Sequence, residues 1–469
     1  MNAHVNRIQS FDAPVHTAVA IVGAGACGLT AALTLTQLGI ESVVLERDAM
    51  PAGSTALSSG FVPAAGTSAQ RSQGIEDSAD LFAQDIQSKA KGNASVALVK
   101  AYAEAIGPAM DALSLHYGIP WQVLNNFLYP GHSVHRMHAV PEKTGTGLMM
   151  RLQNAAQSAG VVVLTEARVT DLYVDDSDKV LGLGFFRPDG QLEKLSCEKV
   201  IFACNGFGGD TDLVKDYLPE MRDALYAGHI GNDGSAIKWG LQLGAQLADL
   251  GGYQGHGSWA IPQGALISWA LMMEGAVQIN VLGERFHDET QGYSEAAVHV
   301  LAQPHGSAWN IFDDPLLMFA QDFPDFAQAQ STGAVHSFKN IEALASFIGC
   351  DANKLANTLT LVREGVDIQT GRIFKRSLSL PLHAIRVTGA LFHTQGGLDI
   401  NAQCQVLRSD GSAFPNLLAA GGAARGVSGN AVWGYLSGNG LLSAIAGGYI
   451  AAQTAMEELG DSTCNSKND

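Results

Sequence analysis

The chain is short of the residues that mark several common protein classes. Its six cysteines, Cys27, Cys197, Cys204, Cys350, Cys404 and Cys464, never stand at CxxC spacing, and no CxxCH occurs. That excludes an evident haem attachment, iron–sulfur box or zinc clamp. Scattered single cysteines in 469 residues point to reduced thiols and a cytoplasmic setting. Basic residues are outnumbered, 28 against 45 acidic ones, for a formal net charge of −17. Nucleic acid and anionic membrane are therefore poor partners. An anionic small substrate stays open, because a local field can differ from the total. No apolar run is long enough to span a bilayer. The opening MNAHVNRIQSFDAPVHT has neither the basic start nor the apolar core of a signal peptide, and residues 1–16 are expected to form a loose leader. Neither an internal repeat nor a low-complexity segment is visible.

Glycine, by contrast, is abundant at 53 residues and follows no collagen period. Such a surplus suits tight βα turns and close backbone approach to a ligand. With 46% hydrophobic and 16% charged residues the chain is globular, and its length predicts two domains. AVAIV at 18–22 reads as a fully buried strand. It enters GAGACG at 23–28, then a helix LTAALTLTQLG, then a strand SVVLE ending at Glu46. A strand, GxGxxG, helix, strand and terminal acid together predict a dinucleotide fold. Gly23 and Gly25 allow the turn and approach to a pyrophosphate, Gly28 lets helix and strand pack, and Glu46 accepts from ribose hydroxyls. The loop PAGSTALSSGFVPAAGT at 51–67 follows, with Ser54, Thr55 and Ser59 as donors to a wrapped cofactor.

Further along, residues 73–117 read as two helices and NNFLYPGHSVHRMH at 125–138 as an irregular stretch carrying Tyr129, His132, Arg136 and His138. A helix at 145–157 precedes a buried strand, GVVVLT, at 160–165. Hairpin punctuation at 175–178 and 188–190 leads to another buried strand, VIFACN, at 200–205. Asp233 is placed to cap the helix AIKWGLQLGAQLA. From about 251 the character changes, and 275–285 reads as strand, turn, strand. The fold expected is α/β: a Rossmann-like domain in two parts, 1–250 and 386–469, with an inserted α+β cap, 251–385. The glycine-rich stretch 421–441, GGAARGVSGNAVWGYLSGNGL, runs into an apolar helix whose positive end suits something flat or anionic.

GAGACG, GSTALSSG at 53–60, NGFGG at 205–209, GNDGSAIKWGLQLGA at 231–245, GERFHDE at 283–289, HTQGG at 393–397 and GYLSGNGL at 434–441 occur in that order. In this pattern the chain resembles the flavoprotein subunits of succinate dehydrogenase and fumarate reductase and their relatives, the 3-ketosteroid Δ1-dehydrogenases. The resemblance implies FAD, a cap over it, and substrate between the two. It implies FAD contacts from Gly23, Gly25, Ala26, Cys27, Gly28, Glu46, Arg47, Ser54, Thr55, Ser58, Ser59, Gly60, Val169, Asn205, Gly206, Asp233, Gly421, Asn439 and Leu441. No residue aligns with the histidine that holds FAD covalently in some members, so non-covalent FAD is expected. The glutamate that often touches the ribitol is replaced by Gly422.

Two departures carry the functional reading. Soluble fumarate reductases have an arginine proton donor where Tyr293 stands here, and a carboxylate-clamping arginine where Tyr435 stands. Ketosteroid dehydrogenases place tyrosines at both points. Arginine suits a carboxylate, whereas tyrosine is a neutral donor suited to a ketone becoming an enolate. The expected reaction is α,β-desaturation of a cyclic ketone, a 3-oxosteroid or a smaller oxocyclohexane. Tyr435 and the Asn439 N–H, beside Gly438, would hold the ketone, and Tyr293, as phenolate, would remove the α proton. The β carbon would give hydride to the flavin, and Tyr129 would assist Tyr293. His393 aligns with a carboxylate-binding histidine and would either bind a substrate carboxylate or steady the flavin. Electrons would pass on to oxygen or a quinone. The alternative is the reverse traffic, an enoate or fumarate-type reductase fed by an external donor. His132, His135 and His138 are poorly spaced for a metal, Arg425 reads as a structural ion pair, and Glu289 as cap framework.

Overall fold

A parallel βαβ unit starts the first sheet. β1 (His4–Arg7) is followed by β2 (Val15–Val22), α1 (Ala26–Gln37) and β3 (Ser42–Leu45), and β2 pairs parallel with β3 through Val19–Ser42 to Val22–Leu45. The computed structural model describes residues 3–363, 365–367 and 370–465. It divides into two compact units. The first comprises 1–217, 228–253 and 393–469, and the second 218–227 and 254–392.

The first unit is built on a nine-stranded sheet. Its centre is β2, flanked by β3 and by the strand Leu192–Phe202, with parallel registers on both sides. Val19, Ala20 and Ile21 are fully buried, as expected of a strand covered on both faces. The hairpins Arg168–Val174, Val180–Phe186 and Leu192–Phe202 extend the sheet antiparallel. The terminal helix Asn439–Asn465 packs on α1. A Cβ on Gly448 would lie 2.4 Å from the Cys27 carbonyl oxygen, so this close helix contact requires glycine there. The Cys464 side chain lies outside the described residues.

Several expectations from sequence alter here. The leader is not loose where it is described: His4–Arg7 pair parallel with Asp171–Val174. GVVVLT is not buried throughout. Val162–Leu164 is the edge strand, and Val162 is exposed. Gly234 (φ +71), not Asp233, is the cap of the helix Ser235–Leu243; the Asp233 carboxylate accepts from Ser235 N–H at 3.2 Å from one position further out.

The second unit holds a seven-stranded sheet in which the long strand Leu382–Thr394 is central, pairing antiparallel with Ser307–Asp313. Leu225 and Tyr226 pair with Ala390 and Leu391 of that strand. This draws 218–227 into the second unit, although the sequence placed them in the first domain. Within 275–285 only Val277–Ile279 is a strand. After it Asn280 closes a turn by accepting from Leu282 N–H and Glu284 N–H, and Arg285 leaves the sheet for an ion-pair cluster. Among the described residues no helix is long and apolar enough to cross a membrane.

Candidate active site

The glycine turn after β2 forms one wall of the site. Gly23 has φ +105, and a Cβ on Gly28 would lie 1.9 Å from the Gly23 carbonyl oxygen, so the turn closes against α1 only with glycine at 28. A Cβ on Gly25 would meet only Thr55 Oγ1, at 3.6 Å, which leaves an open floor before the helix. The N–H groups and positive end of α1 face that floor. Ala26 N–H donates to Thr55 Oγ1 (3.2 Å), while buried Glu46 accepts from Ala24 N–H (2.8 Å) and Asp48 N–H (3.0 Å). Burial drives the Cys27 thiol up, so it stays protonated near pH 7.

The loop 53–60 closes over this turn. Ser54 Oγ accepts from Asn205 Nδ2 (3.0 Å) and Asn232 Nδ2 (2.8 Å), and Asn205 Oδ1 accepts from Gly206 N–H (2.9 Å). Ser58 Oγ donates to Thr55 O (2.7 Å) and accepts from Gly60 N–H (3.0 Å). Arg47 donates to Gly231 O (2.8 Å) and Asp233 Oδ2 (3.2 Å), joining β3 to the 231–245 segment. Ser59 is exposed, and Val169 is buried in its strand. Asn232 was not singled out from sequence, though it lies within the quoted GNDGSA block.

The stretch 421–441 supplies the other wall. Gly421 faces Cys27: a Cβ there would lie 3.4 Å from Cys27 Sγ. A Cβ on Gly422 would lie 2.1 Å from Asn205 Oδ1 and 2.9 Å from His393 Nε2, so those two side chains occupy the place a larger residue would need. A directed chain of hydrogen bonds follows. Asn439 Nδ2 donates to Ser428 Oγ (3.0 Å), Ser428 Oγ donates to Gln395 Oε1 (2.9 Å), and Gln395 Nε2 donates to His393 Nδ1 (2.7 Å). Gln395 and Ser428 escaped the sequence reading, since neither looks chemical until it meets His393. Burial lowers the His393 imidazole to about 4, so it is neutral near pH 7. Asn439 Oδ1 and Ser443 Oγ, one turn apart on the terminal helix, are buried without a hydrogen-bond partner among the described residues.

Tyr435 stands just before that helix and is 6% exposed. Burial pushes its phenol up, against the pull of backbone N–H bonds from Gly440 and Gly438. It is a neutral hydroxyl whose oxygen is held by main-chain donors. Asn439 N–H donates to Leu436 O at 3.0 Å, which corrects the expectation that this group is free to bind a ketone. Gly438 has φ +88, and a Cβ on it would lie 2.5 Å from Pro63 Cδ. Leu441 falls in the first turn of the terminal helix. Tyr129 packs edge-on against Phe127 (5.0 Å between centroids) and Phe61 (6.1 Å), and burial raises its phenol too.

His132 Nε2 is 3.1 Å from Ser437 O, and His138 is fixed between Thr67 Oγ1 (2.7 Å) and Arg136 O (2.8 Å). Among the described residues no group of histidines, cysteines and acids could hold a metal. Arg425 is bound by Asp249 (2.9 and 3.0 Å) and Asp399 (2.9 Å), a structural ion pair as expected.

In the second unit Tyr293 opens the helix Tyr293–Leu301. The ring of His256 stacks on it, 5.0 Å between centroids at 21°. Ser258 N–H donates to His256 Nδ1 (3.1 Å), and burial lowers that imidazole to about 3, so it brings no positive charge to Tyr293. Glu289 is buried and accepts from Arg285 (2.5 and 3.0 Å), Arg372 (2.8 Å) and Gln278 N–H (3.0 Å). Burial alone would raise its carboxyl; the arginines outweigh that and hold it low. These bonds make it part of the framework.

The family model described as "FAD binding domain" matches residues 18–441. The chain belongs to the FAD binding domain family. Its glycine floor, helix end and fixed Glu46 fit an adenine dinucleotide, and FAD is its cofactor. This flavoprotein is 26% identical over 461 residues to a probable fumarate reductase of Shewanella frigidimarina, covering 95% of this chain and 76% of that one. It is similar to the open conformation of a flavocytochrome c3 fumarate reductase (TM-score 0.81, 25% identity, 95% of this chain and 79% of that one). It is also similar to a 3-ketosteroid Δ1-dehydrogenase of Sterolibacterium denitrificans (TM-score 0.79, 19% identity, 94% and 99%), a likeness that shows the fold alone. The chain is an FAD-dependent oxidoreductase with the mixed α/β fold of these proteins.

Proposed function

We propose that this flavoprotein desaturates a cyclic ketone between the carbons α and β to the carbonyl. The observation that carries the reading is Tyr435: a buried, neutral phenol just before the terminal helix, with the N–H groups of Gly438 and Gly440 pulling on its oxygen against the effect of burial. Main-chain bonds to its oxygen polarise its O–H, which then donates to a carbonyl oxygen as negative charge develops there. An arginine at this point would match a carboxylate instead. Tyr293 takes the proton from the α carbon, and Tyr129, a neutral phenol, assists as a donor. His393 offers a further neutral donor to substrate or cofactor. FAD, when bound, supplies the two-electron acceptor that desaturation requires. It is held without a covalent bond, so acid denaturation should release intact FAD to the supernatant.

A second reading reverses the traffic. Similarity to the probable fumarate reductase of Shewanella frigidimarina favours reduction of an activated double bond, with Tyr435 donating to the carbonyl of an enone and Tyr293 returning the proton to its α carbon. Anaerobic mixing distinguishes the two. Bleaching of the oxidised-flavin band by oxocyclohexanes or 3-oxosteroids supports desaturation. No bleaching by ketones, together with reoxidation of the reduced protein by enones or enoates, rejects it for the reductase.

A further inference from the structure

Within the second unit, the strand His336–Phe338 pairs antiparallel with residues 382–384 of the strand Leu382–Thr394, and Ser337 stands directly opposite His383. Directly opposed residues project from the same face of a sheet. Ser337 Oγ lies 2.8 Å from His383 Nδ1. Asp314, the first residue of the helix Asp314–Ala320, reaches the other ring nitrogen, with Oδ1 2.8 Å from His383 Nε2. A carboxylate oxygen accepts, so the hydrogen bond to Asp314 places the N–H on Nε2 and leaves Nδ1 with its lone pair. The Ser337 hydroxyl therefore donates to Nδ1. A hydroxyl, an imidazole base and an orienting carboxylate are thereby in series, and such a set is defined by these roles whichever nitrogen faces the hydroxyl.

The imidazole is buried, while the Ser337 hydroxyl and the Asp314 carboxylate are both exposed. His383 is 3% exposed and lies against the Phe312 ring (5.5 Å between centroids), which restrains it, whereas Ser337 is exposed to reagents. All three residues line one groove of about 590 Å³, together with Phe338, Leu380, Pro381 and Lys339. That volume is in the range of small-molecule sites, and three apolar side chains beside a single cation suit an apolar acyl group whose carbonyl oxygen gains negative charge. Nothing in the flavin reading uses these residues.

We propose that this groove is a second site, independent of FAD, at which Ser337 cleaves small carboxylic esters. Ser337 Oγ forms a bond to the ester carbonyl carbon as its proton passes to His383 Nδ1. Asp314 holds the resulting imidazolium. The C–O bond to the alcohol breaks, and that proton leaves with the alcohol. Water then attacks the acyl-serine by the same path, releasing the carboxylic acid and restoring the hydroxyl. One ester and one water give one acid and one alcohol, with no change of oxidation state.

The test uses the FAD-loaded protein. It is incubated with an alkyl fluorophosphonate, which reacts with activated serines, and the adduct is mapped by peptide mass spectrometry. Hydrolysis of p-nitrophenyl butyrate is followed in parallel. The expected result is a single adduct on Ser337, with hydrolysis that falls about 10²-fold or more in Ser337→Ala and in His383→Gln. The flavin spectrum of both variants should be unchanged, which reports that they fold. No adduct on Ser337 in protein with an intact flavin spectrum, or undiminished hydrolysis in Ser337→Ala, overturns the proposal and leaves the three residues as a brace between strands.

Discussion

Gln395 Nε2 lies 2.7 Å from His393 Nδ1, and this hydrogen bond decides what His393 can offer. An amide nitrogen only donates, so it takes up the Nδ1 lone pair, and the proton of the neutral ring sits on Nε2. Ser428 and Asn439 hold the Gln395 amide in that sense. His393 is thus a neutral Nε2–H donor, not a cation. In ¹⁵N-histidine-labelled protein its signals, assigned by loss in His393→Ala, should show Nδ1 unprotonated near pH 7. Gln395→Leu should let the ring exchange between tautomers, and Ser428→Ala should do so in part. A protonated Nδ1 in the unaltered protein would contradict the chain of donors.

Tyr435→Phe removes one hydroxyl and leaves the ring packing. The rate of flavin reduction by a ketone should fall about 10²- to 10³-fold, the usual loss of one oxyanion donor, with bound FAD and melting temperature little changed. Tyr293→Phe should cost ~10²-fold or more in the same stopped-flow measurement if Tyr293 takes the proton. Near-normal reduction in either variant removes that residue from the mechanism.

Glu289→Gln separates framework from chemistry. It leaves Arg285 and Arg372 buried beside a neutral amide, and breaking such a buried set costs about 3–5 kcal/mol. Urea unfolding should show that loss. The folded fraction should keep its rate of flavin reduction, and a fall in that rate comparable to Tyr293→Phe would instead place Glu289 in the chemistry.

The buried histidines predict loss of stability in mild acid. His132, His138, His287 and His393 are lowered to about 4 and His256 to about 3, in each case chiefly by burial, from an ordinary value of 6.5. Between these values the unfolded chain binds protons that the folded chain refuses. The stabilisation is therefore complete above about pH 6.5 and is lost as pH falls toward 4, by up to about 1.4 kcal/mol per pH unit for each histidine. Urea midpoints should be lower at pH 5.5 than at pH 7.5. An unchanged or higher midpoint at pH 5.5 would refute this.

Gly28→Ala should abolish FAD retention, because the new Cβ would overlap the Gly23 carbonyl oxygen within the turn that faces the cofactor. The purified variant should lack the flavin absorbance band. A yellow, stable Gly28→Ala protein would show that the turn can relax.

The cofactor half of the site was legible because its determinants are local. GAGACG couples a turn, a helix start and a packing contact within six residues, and Glu46 follows at the end of the next strand. Tyr293 and Tyr435 could be singled out because each stands at a set distance from a short motif. Short-range order also misled. GVVVLT looks like an interior strand, yet it lies at the sheet edge, and residues 275–285 look like a hairpin until Arg285 turns to Glu289 and Asp367.

By itself the sequence determined the dinucleotide turn, the family and FAD, since each depends on residue identity over a few positions. Only the tertiary structure decided how the side chains of the site are protonated and aimed. Gln395 meets Ser428 across a sequence separation of 33, and Ser337 meets His383 across 46, through strand pairing and loop closure that no local pattern encodes. Burial, a property of the whole packed chain, keeps Tyr435 and His393 neutral. The glycine-rich ending announced that something approaches the backbone, and the fold buried its tyrosine beside the main-chain N–H groups of Gly438 and Gly440.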